Sequence, residues 1–422
     1  MHILSGVNMM SQELVLVHAE EDKIARVPIS GVPGLRPASP QHSLIMPDEK
    51  TVYITTDALP PFPASIIALS LKEIDWDAGT AEVELLQNLL LDVMGTPSDM
   101  PNVKQTDDAQ PIMPWTRPLF TQTHAPTLLP GSSFLYTAHY TDDRLRGFKI
   151  NRDGTLDPRV LYSDRPVTRQ THGISFNPKG TIGLGVGYDY DISDLRVLEV
   201  NHYTGELEVT RTIPLGTPEE YGAFVHRAVW LDNRYAYLGT MQVGPTSRTR
   251  PAATTSVRHP DPPAPSGDKL VGPSVWLIDT KTNTAECVIR PTDSEAGAGM
   301  FRPPSDVAVA AGKLYVAEED SWTPTDLPGG YGTTGFISVW DIANPAKPCF
   351  LKRLRPGHEL PDDFRNAHTA TAMFDEESVF VSSFVSNHLV RIDTATDKVA
   401  KVYTAEDGLD MFHGEFAAGR NG

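Results

Sequence analysis

The chain has 422 residues, 36 of them basic and 54 acidic, for a formal charge of −18. That balance excludes nucleic acid and anionic membrane surfaces as partners, because their phosphates would be repelled. The length is ample for a large core, so neither a disulfide nor a metal is needed merely to fold.

From the N-terminus, LVLVHAEED and KIARVPI give two strands between residues 12 and 28. This pattern starts just after Met10, which makes Met10 as good an initiator as Met1. A unit then opens at His42 (HSLIMPDEKTVYI). Within it, SIIALSLKEI is the nearest approach to an amphipathic helix, and it reads equally well as a strand. The same unit recurs at His124 (HAPTLLPGSSFLY), His172 (HGISFNPKGTIGL), His226 (HRAVWLDNRYAYL) and His368 (HTATAMFDEESVF), and begins again at His413. Its second apolar run starts at Val52, Phe134, Ile182, Ala236 and Val379. A unit of the same shape without the histidine opens at Pro304 (PSDVAVAAGKLYV). Turn sequences at 152–155, 203–206, 279–283 and 393–397 suit hairpins between the last two strands of a unit.

Short strands bounded by Gly, Pro, Asn and Asp mark an all-β chain. Four-stranded units at this spacing predict a seven-bladed β-propeller, a single domain over residues 1–422. The strand near 413–418 and the strands of 12–28 would share one blade and close the ring. Insertions fall at about 95–123, 243–273 and 321–335. Placed in a propeller, all three emerge on the face where the histidines begin the inner strands. That face is the expected working face. No N-terminal basic region precedes a long apolar core, and no run reaches roughly 18 apolar residues. The expectation is a cytoplasmic protein with no membrane partner. Cys287 and Cys349 stand in no paired motif and read as reduced thiols.

Residues 124–157 and 172–206 carry the pattern His…Gly-x-x-Leu-Tyr…Asp-x-Leu…Asn-x-Asp-Gly-x-Leu. In this they resemble the lactonase-like seven-bladed propellers, which include 6-phosphogluconolactonase-like proteins and carboxymuconate cyclases. The resemblance implies the propeller fold, and a lactonase or cycloisomerase activity as one expectation. No complete Arg/Glu/His lactonizing set carries over. In arrangement alone, the histidines are similar to those that ring the channel in nitrous-oxide-reductase-type and thiocyanate-dehydrogenase-type copper propellers. Carotenoid-cleaving oxygenases likewise hold iron with four histidines on a propeller. This chain carries no continuous motif of those families.

Histidines at one register of a repeat occupy equivalent places, and a closed ring brings those places together on its axis. Neutral imidazole suits iron, copper, zinc and nickel, so His42, His124, His172, His226, His368 and His413 are the candidate metal ligands. The ion expected is iron or copper, with manganese or zinc as alternatives. The same register can also be plain repeat consensus, with each ring bonded to the neighbouring blade. In the blade without a histidine, Asp306 and Glu319 are the candidate acid–base groups, and Arg227 is a third catalytic candidate. Glu318 to Asp320 also reads as a solvated loop. His18, His139, Tyr188 and His388 are candidates for contact with a small-molecule substrate. Three functions follow: a metal-dependent enzyme, with oxidoreductase or oxygenase chemistry ahead of lyase chemistry; a metal-independent lactonase or cycloisomerase; and a non-catalytic propeller that binds a protein. No Gly-x-Ser-x-Gly elbow or phosphate loop supports other chemistry.

Overall fold

The computed structural model describes residues 3–35, 39–57, 64–91, 123–139, 143–168, 171–187, 194–217, 221–223, 225–241, 273–290, 303–319, 335–383 and 385–413, save the side chain of His413. The predicted insertions at about 95–123, 243–273 and 321–335 lie almost wholly outside the described residues, and Tyr188 lies outside them too.

Antiparallel strands make up nearly all of the described structure. The chain opens with β1 (Ile3–Asn8), β2 (Glu13–His18) and β3 (Lys23–Pro28). Blade one is β4 (Ser39–Ile45), β5 (Thr51–Asp57), β6 (Ser65–Asp75) and β7 (Thr80–Leu90). Blade two is β8 (Thr123–Leu128), β9 (Phe134–His139), β10 (Arg144–Lys149) and the two-residue β11 (Leu161–Tyr162). Blade three is β12 (Thr171–Phe176), β13 (Ile182–Gly187), β14 (Asp194–Val200) and β15 (Leu207–Pro214). Blade four is β16 (Val225–Trp230), β17 (Tyr235–Thr240), β18 (Ser274–Asp279) and β19 (Thr284–Ile289). Blade five is β20 (Pro304–Ala310), β21 (Lys313–Glu319), β22 (Gly335–Asp341) and β23 (Cys349–Leu354). Blade six is β24 (Ala367–Ala372), β25 (Ser378–Ser383), β26 (His388–Asp393) and β27 (Lys398–Tyr403), and the last strand is β28 (Phe412–His413).

Five of these units are separate four-stranded sheets. The remaining eight strands form one sheet in the order β28-β1-β2-β3-β7-β6-β5-β4. Its two halves touch through a single parallel pair, Arg26 with Thr80. It is therefore two four-stranded blades in edge contact, and the described strands make seven units. Hydrophobic burial gives the same count. Seven core clusters lie between successive blades, the last of them joining Leu4, Val15, Val17 and Phe412 to Phe380, Leu389 and Tyr403 of blade six. Each fully buried aliphatic or aromatic side chain in these layers contributes roughly 1.5–3 kcal/mol.

The closing blade differs from the sequence expectation in one respect. It takes three strands from the N-terminal segment rather than two, because β1 pairs with both β2 and β28. Strand β1 was missed because Ser5 and Gly6 interrupt its apolar pattern. Ser5 is fully buried, and Ser43 of blade one bonds to its hydroxyl at 3.0 Å. Since β1 precedes Met10, a chain started there would lack it. The segment SIIALSLKEI is strand, within β6. The 152–155 turn closes only the isolated bridge Ile150–Leu156, so the fourth strand of blade two comes later and is short. Cys287 on β19 and Cys349 on β23 are unlinked.

Tyrosine hydroxyls lace the blades at the end opposite the histidines. Tyr53 donates to Gly154 O at 2.8 Å, Tyr136 to Gly205 O at 2.6 Å, and Tyr237 to Pro345 O at 2.7 Å. Tyr315 reaches Asp397 at 2.7 Å, and Tyr403 reaches Asp22 at 2.9 Å. Each bond crosses to the next blade. The Gly205 turn has φ +73°, and a Cβ there would run into the Phe134 ring. The turn sequence and its tyrosine contact are thus fixed together.

Candidate functional site

Six of the seven described inner strands, all but the two-residue β28, carry a register shift at or beside the level of the histidines. The shifts fall between Pro40 and His42, His124 and Thr127, Thr171 and Gly173, Val225 and Ala228, Pro304 and Asp306, and Ala367 and Ala370. A bulge leaves one residue outside the ladder and re-aims its side chain. His172, His226, Ser305 and His368 are left out of their ladders in this way, whereas His42 and His124 stay paired with Thr55 and Ala138 beside the shift.

Five of the six predicted histidines form a continuous arc. Ring centroids are 5.2 Å apart for His42–His124, 4.8 Å for His124–His172, 4.1 Å for His172–His226 and 5.0 Å for His226–His368. The last step spans blade five, where Ser305 occupies the histidine register and places Oγ 3.2 Å from His368 Nδ1. The sixth, His413, pairs through its backbone with Val7, and its side chain lies outside the described residues.

Three contacts set the nitrogens. His172 Nδ1 lies 2.8 Å from the carbonyl of His226, which requires the proton on Nδ1 and puts the lone pair on Nε2. His368 Nδ1 lies 2.7 Å from Glu319 Oε2, and Asn366 holds the other carboxylate oxygen at 3.3 Å. A carboxylate behind Nδ1 again leaves the lone pair on Nε2. Ser305 and Glu319 meet the same nitrogen of His368, so these three groups do not form a nucleophilic relay, which needs both nitrogens. Finally, His42 Nε2 and His124 Nδ1 share a hydrogen bond at 3.1 Å, one ring donating to the other.

The other candidates are placed as follows. Glu319 enters the site as expected, whereas its neighbour Glu318 does not. Glu318 forms a fully buried ion pair with Arg353 at 2.8 Å, so it belongs to neither the site nor a solvated loop. Asp306 and Arg227 form a strap. Arg227 bonds to both carboxylate oxygens, at 3.2 and 2.7 Å, and to Ala370 O at 2.6 Å. Asp306 also accepts from Ala370 N and Val307 N. Burial raises the Asp306 carboxyl, opposed by Arg227 and the two backbone N–H groups. The expected acid–base roles are replaced by one that ties the inner strands of blades four, five and six together.

His139 is fully buried and bonded to Thr137 at 2.9 Å. Burial, with Arg146 and His124 nearby, pushes it well below the ordinary imidazole value, so it is a neutral core group rather than a substrate contact. His388 is buried against Phe364 and bonded to Ser386, and burial lowers it as well. His18 ends the third strand of its blade, not the second, and so lies at the opposite end from the arc. There it packs edge-on to Trp76 and accepts from Glu21 N.

Sequence reasoning missed two residues. Ser305 fills the histidine register of blade five. Asp57 ends β5 as Glu319 ends β21, and each carboxylate crosses to the first strand of the next blade. Asp57 accepts from the N–H of Thr123, the residue before His124, at 3.3 Å. Burial, only partly offset by that bond, pushes Asp57 up to about 7. The available signal was the equivalence of TVYITTD and KLYVAEE.

No protein-family model matches the chain, and no curated protein matches it in sequence. Solved structures do match in fold. The periplasmic gluconolactonase of Pseudomonas aeruginosa is 11% identical, with TM-score 0.59, covering 99% of this chain and 97% of its own. A Bacteroides uniformis protein, provisionally assigned as a 6-phosphogluconolactonase, is 12% identical, with TM-score 0.58 and 98% of both chains covered. The dihydro-heme d1 dehydrogenase NirN is 13% identical, with TM-score 0.52, covering 99% of this chain and 75% of its own. The chain is a β-propeller, and its resemblance to lactonase-like propellers is one of fold.

Proposed function

We propose that the chain is a metal-dependent enzyme whose histidine ring holds a transition metal, iron or copper ahead of manganese or zinc, and acts there on a small molecule. The observation that carries this reading is the continuous arc of five imidazoles from His42 to His368, with neighbouring ring centroids 4.1–5.2 Å apart. The protonated Nδ1 atoms of His172 and His368 leave Nε2 able to bind, with a carbonyl or carboxylate behind the ring, as metal-ligating histidines commonly have. Among the described residues, no three donors are gathered on one point as they stand. A third ligand requires a ring rotation, or His413.

The bound ion would polarise the substrate or exchange electrons with it, so oxidoreductase or oxygenase chemistry is favoured over lyase chemistry. Glu319 fixes the tautomer of His368 and, being acceptor-only when ionised, can receive the Nδ1 proton if Nε2 gains one. Elemental analysis and an absorption spectrum of protein purified from metal-supplemented cells test the proposal. About one or more ions per chain are expected. Protein that stays metal-free yet folded would overturn it.

A second reading is favoured by the His368–Glu319 pair and by the likeness in fold to the gluconolactonase. In it the chain is a metal-independent lactonase or cycloisomerase, with His368 Nε2 as the base. Turnover of a lactone panel by chelator-treated protein separates the two readings.

A further inference from the structure

Blade two departs from the repeat at its outer edge. Its fourth strand, β11, has two residues, whereas the outer strand of every other blade has at least six. The N–H of Asp157 still bonds to Lys149 O at 2.8 Å, and Leu161 pairs with Gly147, but the chain between them leaves the ladder. A cavity of about 380 Å³ opens there, against the β14–β15 turn of blade three. It lies at the end of the molecule opposite the histidines, and its volume falls within the range of small-molecule sites.

The turn that forms its other wall is pinned. Tyr203 N and Thr204 N both donate to Asn201 Oδ1, at 3.0 and 3.2 Å, and Thr204 Oγ1 donates to Glu206 Oε2 at 3.0 Å. Gly205 N donates to Asn201 O at 2.7 Å, and Tyr136 of blade two donates to Gly205 O. On this fixed turn Tyr203 is 96% exposed, more than any other large hydrophobic side chain described. A tyrosine presented on a pinned turn gives up little freedom when a ligand stacks on it.

The lining selects the ligand. Phe134, Leu161 and Tyr203 supply apolar surface, Lys149 and Arg159 can donate, and Asp157 and Glu206 can accept. Among the described residues, these four charged side chains form no ion pair with one another. A simple anion would be repelled by the two carboxylates, and a simple cation by the two basic groups. A sugar hydroxyl both donates and accepts, so it uses both signs at once. The apolar C–H face of a pyranose covers an aromatic ring.

We propose that this cavity is a carbohydrate site, in which a neutral sugar stacks on Tyr203 and its hydroxyls bridge the basic and acidic groups of the lining. The site is separate from the histidine arc and independent of either reading of the chemistry there.

The test applies the full chain to an array of neutral, sialylated and sulfated oligosaccharides and titrates the best neutral binder by calorimetry. Selective binding of a neutral glycan is expected. Tyr203→Ala should weaken it roughly tenfold or more, whereas Tyr203→Phe, which keeps the ring, should preserve it. Both variants should melt as the unmodified chain does, because the side chain is exposed. An array without a neutral binder overturns the proposal, as does a neutral binder whose affinity survives Tyr203→Ala. Binding confined to sialylated or sulfated glycans overturns it too.

Discussion

Glu319 Oε2 lies 2.7 Å from His368 Nδ1, although the two residues sit on different blades. The bond carries a fixed orientation from the second strand of blade five to the first strand of blade six. Replacing Glu319 with Ala removes the acceptor that holds the Nδ1 proton. On the proposed metal reading, metal affinity should fall roughly 10–100-fold. Competition with a chromophoric chelator measures this, and an unchanged circular dichroism spectrum separates it from unfolding.

Arg227→Ala should act on stability instead. It strips the cation from Asp306, which is fully buried, and costs about 3–5 kcal/mol. Urea unfolding reads the loss. A variant that loses activity at full stability would contradict the strap and restore a catalytic role for Arg227.

Asp57 should impose a pH dependence on stability. Its folded value, about 7, is raised above the ordinary 3.8. The folded state therefore holds the proton in the window from about 4 to 7, where the unfolded state has released it, and stability falls as pH rises through that window. Asp57→Asn should flatten this slope and make the variant the more stable of the two above pH 7. Melting temperatures at pH 5 and pH 8 test the sign.

Tyr136→Phe deletes one hydroxyl that donates to Gly205 O across a blade interface. The net loss expected is about 1 kcal/mol, with the Gly205 carbonyl left to find another donor. Thermal unfolding of the single variant measures it. If the lacing is a shared device, Tyr53→Phe should cost a similar amount.

Deleting residues 1–9 removes β1, the strand between β2 and β28. The closing blade then loses its continuity, and Leu4 and Val7 leave two inter-blade cores. The shortened chain should be aggregation-prone, which size-exclusion chromatography would reveal.

The repeated histidine register made most of the fold legible, because a histidine and the apolar run after it mark the first two strands of a unit whatever lies between. Strand β1 was not legible, since a buried Ser–Ser contact replaces the apolar side chain that would have announced it. In the site, register alone led to His124, His172, His226 and His368, whereas His42 lies one residue nearer its hairpin than they do and joins the arc through its contact with His124. The fates of Asp306 and Glu319 did not, because they depend on what the adjacent blade offers. Asp306 meets a guanidinium and two backbone donors, while Glu319 meets an imidazole. His18 shows the limit of local pattern: its strand looks like a second strand but is a third, and that single shift moves it to the far end of the molecule.

The pairing of Val7 with His413 has a consequence for synthesis. Residues 3–8 emerge from the ribosome about 400 residues before residues 412–413 and cannot complete their hydrogen bonding until those follow. Throughout translation the nascent chain carries an open strand edge, which invites pairing with a neighbouring chain. Closure of the ring of blades therefore joins two segments that lie far apart in the order of synthesis.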